Sequence, residues 1–125
     1  MSTTVIEQYF DRLNRDDWGA LASVWQDEAE LRAVGGFEAH GREAVLAYYE
    51  RILAGYREHH DEVTRLVSAD PTFVAEIHFT GVTAAGNAVV FDAVDVFDVR
   101  HGLIASLSSW YDSALVNRLV RGGRR

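Results

Sequence analysis

Residues 73–111 read FVAEIHFTGVTAAGNAVVFDAVDVFDVRHGLIASLSSWY, and their pattern decides the fold class. Three apolar-rich runs stand out: Phe73 to Val82, Ala88 to Val99 and Leu103 to Tyr111. Ala84-Ala85-Gly86-Asn87 and Arg100-His101-Gly102 separate them. Val, Phe and Ile enrichment over such lengths, broken by Gly and Asn, predicts strands joined by hairpin turns. Just upstream, Glu62 to Ala69 predicts another strand, closed by Asp70-Pro71. Strands that follow one another through tight turns pair antiparallel.

Working back toward the N-terminus, the period changes to that of helices. Val5, Ile6, Tyr9, Phe10 and Leu13 recur at helical spacing, with Ser2 or Thr3 as the predicted N-cap. Asn14, Asp16 and Asp17 break this helix. Asp17 is placed to cap a second, short helix with Trp18, Leu21, Ala22 and Trp25 on one face. Ala29 to Val34 and Phe37 to His40 predict two short strands around Gly35-Gly36. A third helix spans Arg42 to Tyr56, with Val45, Tyr49, Ile52 and Tyr56 as its stripe. Beyond the strands, Asp112 caps a final helix carrying Leu115, Val116, Leu119 and Val120. Helices first and consecutive strands afterwards define an α+β class, and a long twisted sheet should curl around the helices.

Composition sets further bounds. The 125 residues predict a single domain, and 48% hydrophobic content is enough for a core. A net charge of −7 repels phosphate backbones, which argues against nucleic acid as a partner. The chain has no cysteine, which excludes disulfides and thiolate metal sites. No signal-like or membrane-length apolar run occurs, so no membrane contact and a cytoplasmic location are expected.

Several segments resemble the nuclear transport factor 2-like superfamily. VIEQYFDRLNRDDWGALASVWQDEAELR resembles its first helix, break and second helix, and HGREAVLAYYERI the start of its third helix. VDVFDVRHGLI is similar to its penultimate strand and glycine turn. SSWYDSALVNRLVRG resembles the closing strand and helix of SnoaL-like polyketide cyclases and limonene epoxide hydrolases. The resemblance covers roughly residues 3 to 120 and implies a cone. In such a cone a curved antiparallel sheet wraps around three N-terminal helices and a short C-terminal helix, enclosing a mostly apolar pocket.

Strand alternation sorts side chains into two faces without saying which is concave. On Ala88 to Val99 one face carries Val89, Phe91, Ala93, Asp95, Phe97 and Val99, and is apolar except for Asp95. On Phe73 to Val82 one face carries Phe73, Ala75, Ile77 and Phe79, the other Val74, Glu76, His78, Thr80 and Val82. The resemblance implies that the pocket set is Glu76, His78 and Thr80, then Phe91, Ala93 and Asp95, then Leu107, Ser109 and Tyr111. It adds Tyr9 from the first helix, Trp25 as an apolar wall and His40 from the short second strand.

An aspartate among apolar neighbours takes up a proton or finds a partner, and such groups are acid/base candidates. The resemblance implies a cofactor-free enzyme that enolises an apolar, cyclic ketone or polyketide-like substrate, by cyclisation, isomerisation or dehydration. His78 is the expected base, oriented by Glu76, and Asp95 with Tyr9 or Tyr111 the expected donor to the enolate oxygen. The reverse roles for Asp95 and His78 stay open. Ketosteroid isomerases carry their base at the position of Ala33, and the epoxide hydrolase Asp–Arg–Asp set falls on His78, Glu76 and Ser109, so neither pattern is complete. His59-His60-Asp61 reads as surface, because adjacent strand histidines point to opposite faces and seldom share a metal. The alternative is a non-catalytic binding or dimerisation module. In either case Val90, Val94 and Val96 on the convex face suit a homodimer.

Overall fold

The structure is a computed structural model that describes residues 2–124, with the side chains of Ser2 and Thr3 outside that description. The N-cap expected at Ser2 or Thr3 therefore lies outside the described residues. Helix α1 (Ser2–Asn14) buries the predicted stripe of Val5, Ile6, Tyr9, Phe10 and Leu13. It ends where Asp16 takes a left-handed φ of 56°. The Asp17 carboxylate then accepts from the Ala20 amide, 3.2 Å away, and starts α2 (Trp18–Ala22).

Strand β1 runs from Trp25 to Ala33, so Trp25 opens a strand instead of closing a helical face. A single 3-10 turn, Val34–Gly36, leads to β2 (Phe37–His40), and α3 (Arg42–Leu53) follows. Four long strands come next: β3 (Tyr56–Ala69), β4 (Thr72–Thr83), β5 (Ala88–Arg100) and β6 (Leu103–Tyr111). Helix α4 (Ser113–Val120) closes the chain, capped as expected by Asp112, whose carboxylate accepts from the Leu115 amide at 3.0 Å.

The six strands form one curved sheet in the order β2-β1-β6-β5-β4-β3. All neighbours are antiparallel except β1 and β6, which pair parallel. The segment between those two contains α3 and four strands, more than the crossover that a parallel pairing needs. The helices fill the concave side. Tyr9 packs edge-on against Phe10, Trp25 and Phe97, with ring centroids 4.9–5.8 Å apart. Trp25 and Leu107 are buried in this core.

The hairpin register assigns the faces. Phe79 pairs with Phe91, Ile77 with Ala93 and Ala75 with Asp95. Across the next ladder Ala93 pairs with Tyr111, Asp95 with Ser109 and Phe97 with Leu107. Residues directly opposite in a ladder point to the same side of the sheet. The concave face of β4 is therefore Phe73, Ala75, Ile77 and Phe79, all buried. Glu76, His78 and Thr80 lie on the convex face, the reverse of the expectation.

Candidate active site

A cavity of about 340 Å³ opens between the concave face of the sheet and helices α1, α3 and α4. This is the low end of the usual range for small-molecule sites, about 300–1,000 Å³. One wall is an aromatic ladder across β3 to β6. Tyr56 meets Phe79 at 5.3 Å, Phe79 stacks on Phe91 at 4.7 Å, and Phe91 meets Tyr111 at 5.2 Å. Gly81 makes room for this ladder, since a Cβ there would come within 3.0 Å of both the Phe79 and Tyr56 rings. Tyr9, Tyr48 and Tyr49 face it from the helices, so all five tyrosines of the chain line one cavity. Val116, Asn117 and Val120 of α4 complete the enclosure, and Ile52 and Val120 are partly exposed.

Two carboxyl groups reach this space. Asp95 of β5 is 5% exposed, and its Oδ1 has no hydrogen-bond partner among the described residues. Burial pushes its carboxyl up to about 7; the cross-strand Ser109 hydroxyl pulls the other way, and the charge of Asp61 adds to the rise. Asp61 of β3 is partly buried, and burial pushes it up to about 6 against the pull of His59 and His60. Asn14, at the end of α1, holds Asp61 by its backbone. The Asp61 amide donates to Asn14 Oδ1 at 2.8 Å, and Asn14 Nδ2 donates to the Asp61 carbonyl at 3.0 Å. Beside it His59, with a side chain only 5% exposed, contacts Asp16 Oδ1 through Nε2 at 2.6 Å, so His59 is not a surface residue.

The tyrosines act on one another electrostatically, Tyr49 on Tyr9 and Tyr111 on Tyr48, and each adds to its neighbour's rise. Burial raises Tyr9, Tyr48, Tyr49 and Tyr56 above the ordinary tyrosine value, so these four stay protonated donors through neutral pH. No Arg or His lines the cavity among the described residues.

Of the residues expected at the site, Asp95, Tyr9, Phe91, Ala93, Ser109 and Tyr111 line the cavity. The others are elsewhere. His78 Nδ1 contacts Asp92 Oδ1 at 2.8 Å on the convex face. Glu76 pairs there with Arg65 Nε at 3.1 Å, and Thr80 is exposed. The ladder register puts them there, and so parts the expected His78 base from Asp95. Trp25 and Leu107 are buried core residues, not part of the cavity lining. His40 is exposed between Glu30 and Glu38, at 3.4 and 3.5 Å. Asp61 was not foreseen, because β3 begins at Tyr56, well before Glu62, and carries two register shifts. The signal available in the sequence was the helix break itself, whose Asn14 is a free amide with a backbone to hold.

With this geometry in place, the comparisons give the family. Residues 6–107 match the SnoaL-like domain, and the chain belongs to that family. None of the curated proteins compared matches the sequence. Solved structures share the nuclear transport factor 2-like fold at low identity. A protein from Xanthomonas campestris pv. campestris assigned as a polyketide cyclase is 23% identical, with 95% of this chain and 96% of that chain covered and a TM-score of 0.85. An LEH-like epoxide hydrolase of M. tuberculosis is 18% identical, with 97% and 90% covered and a TM-score of 0.82. A ketosteroid isomerase-like protein of Catenulispora acidiphila DSM 44928, in complex with trimethylamine, is 16% identical, with 94% and 92% covered and a TM-score of 0.84. No helix among the described residues is long and apolar enough to cross a membrane.

Proposed function

We propose that the protein is a cofactor-independent acid/base enzyme that enolises a compact, apolar carbonyl compound, with Asp61 and Asp95 as its working pair. The observation that carries this reading is geometric: two carboxyl groups, Asp61 and Asp95, enter one aromatic cavity, and burial raises both, to about 6 and about 7. Near pH 6.5 the lower one is largely ionised and the higher largely protonated, so base and acid coexist.

In this mechanism the Asp61 carboxylate removes a proton from the carbon next to the carbonyl. The carbonyl oxygen, as it gains charge, accepts hydrogen bonds from the protonated Asp95 carboxyl and from a tyrosine hydroxyl such as Tyr9. The proton held by Asp61 then returns to another carbon (isomerisation) or to a departing hydroxyl (dehydration). Alternatively, the enolate carbon attacks a second carbonyl of the same molecule and closes a ring, and the new alkoxide oxygen takes the proton held by Asp61. The Phe79–Phe91–Tyr111 wall excludes water and strengthens each of these polar contacts. A polyketide cyclase assignment and a ketosteroid isomerase-like fold among similar structures support this reaction class. The convex face bearing Val90, Val94, Val96 and the exposed Trp110 is proposed as a homodimer surface, which sedimentation will test.

The enzymatic test is deuterium uptake in D₂O, followed by NMR next to the carbonyl of a panel of small cyclic ketones and enones. Asp61→Asn and Asp95→Asn should each reduce uptake by about 100-fold or more, while His78→Ala leaves it unchanged. Uptake that is indifferent to both asparagine variants removes the proposal.

A further inference from the structure

The charge balance of the cavity is one-sided. Its polar lining consists of two carboxyl groups and neutral hydroxyl and amide groups, with no basic side chain among the described residues. Asp95 lines this space from the concave face of β5, is 5% exposed, and its buried Oδ1 has no partner among the described residues. A buried carboxylate normally has a cation or several donors to compensate it. Around these groups stand the faces and edges of seven aromatic rings: the five tyrosines, Phe79 and Phe91. Aromatic faces attract cations electrostatically, most strongly where water is excluded.

We propose that this cavity binds a hydrophobic ammonium ion, a protonated or quaternary amine on a compact apolar frame, with Asp95 and Asp61 as counter-ions and the aromatic rings as its cage. The inference uses the same cavity as the enolisation reading but does not depend on that chemistry. A cation beside Asp95 compensates the charge of its carboxylate. It also favours the ionised form of both carboxyls, so binding near pH 6.5 must release protons to the solvent. The groups that set this pH dependence are few. Asp95 faces Ser109 of β6, Asp61 of β3, and Tyr9, Tyr48 and Tyr49 of the helices. Asp61 faces Asn14 of α1 and has His59 and His60 on its own strand, with His59 already engaged by Asp16. Toward β4 and α4 the lining is Ile77, Phe79, Thr83, Val116, Asn117 and Val120, none of which titrates.

The test is calorimetric titration of the full chain with three probes that share one ring: cyclohexylmethylammonium, cyclohexylmethanol and cyclohexanecarboxylate. At pH 7.5 the ammonium should bind about tenfold or more tighter than the alcohol, and the carboxylate weakest. The ammonium advantage should shrink at pH 5, where both aspartates are protonated. At pH 6.5 the apparent heat should change with buffer ionisation enthalpy, as proton release requires. Asp95→Asn and Asp61→Asn should each reduce the preference for the cation, with retained affinity for the alcohol as proof of a folded cavity. Overturning results are an alcohol that binds as tightly as the ammonium at pH 7.5, or an ammonium preference that survives both variants. Absence of binding by all three probes overturns it as well. A cation preference without deuterium exchange would sink the enolisation reading and leave this one standing.

Discussion

At the scale of single residues, Asp95 is where stability and chemistry oppose each other. Its carboxyl rises from the usual carboxylate range to about 7 because burial penalises the charge, with little to compensate Oδ1. The native state therefore holds a proton between about pH 4 and pH 7 that the unfolded chain has released. Stability from this group is intact below pH 4, falls as pH rises, and is lost once pH passes 7. Three units correspond to on the order of 4 kcal/mol. Denaturant melts at pH 4.5 and pH 8 should show wild type losing a few kcal/mol across this window, and Asp95→Asn losing much less. A second expectation concerns rate. Proton abstraction needs Asp61 ionised and Asp95 protonated, so kcat/KM against pH should be bell-shaped, rising near 6 and falling near 7. The two groups feel each other, so these limbs belong to the pair. A profile that only rises from pH 5 to pH 9 would show that Asp95 is not the acid.

At the scale of elements, the site depends on one irregular edge strand. Ladder alternation carries Asp61 and Val63 on the inner side opposite Phe79 and Ile77, and a register shift between Val63 and Arg65 then returns Leu66 to that side, opposite Ala75. A bulge inserts one residue and breaks the two-residue period. This is why the inward position of Asp61 was not legible, although Glu62 to Ala69 reads as strand. The Asn14 amide replaces a missing neighbour strand at this point and fixes the height of Asp61. Asn14→Ala should cost about 1–3 kcal/mol in stability. It should lower kcat more than it raises KM, because it moves the base and leaves the aromatic cage intact. Equal losses in both would mark a purely structural role.

At the scale of the whole molecule, class and order of elements were legible, while the site was legible only in part. The α1 stripe, the Asp17 and Asp112 caps and the turns before β5 and β6 are local patterns, and each appears where it was read. The inward set of β5 and β6 followed from alternation together with the family resemblance, which chose the face. The concave face of β4 did not, because it depends on how Phe79 and Ala75 register against Phe91 and Asp95, a relation between strands that no single strand encodes. The parallel pairing of β1 with β6 is likewise non-local. What the fold achieves is the delivery of two carboxyls from different strands into one aromatic cavity. The most direct measurement of that claim is a carboxyl ¹³C NMR titration of aspartate-labelled protein, with Asp61→Asn and Asp95→Asn used for assignment. The account predicts one carboxyl titrating near 7 and one near 6, each lost in its own variant. Titration of both below about 5, in the range of exposed aspartates, would contradict it.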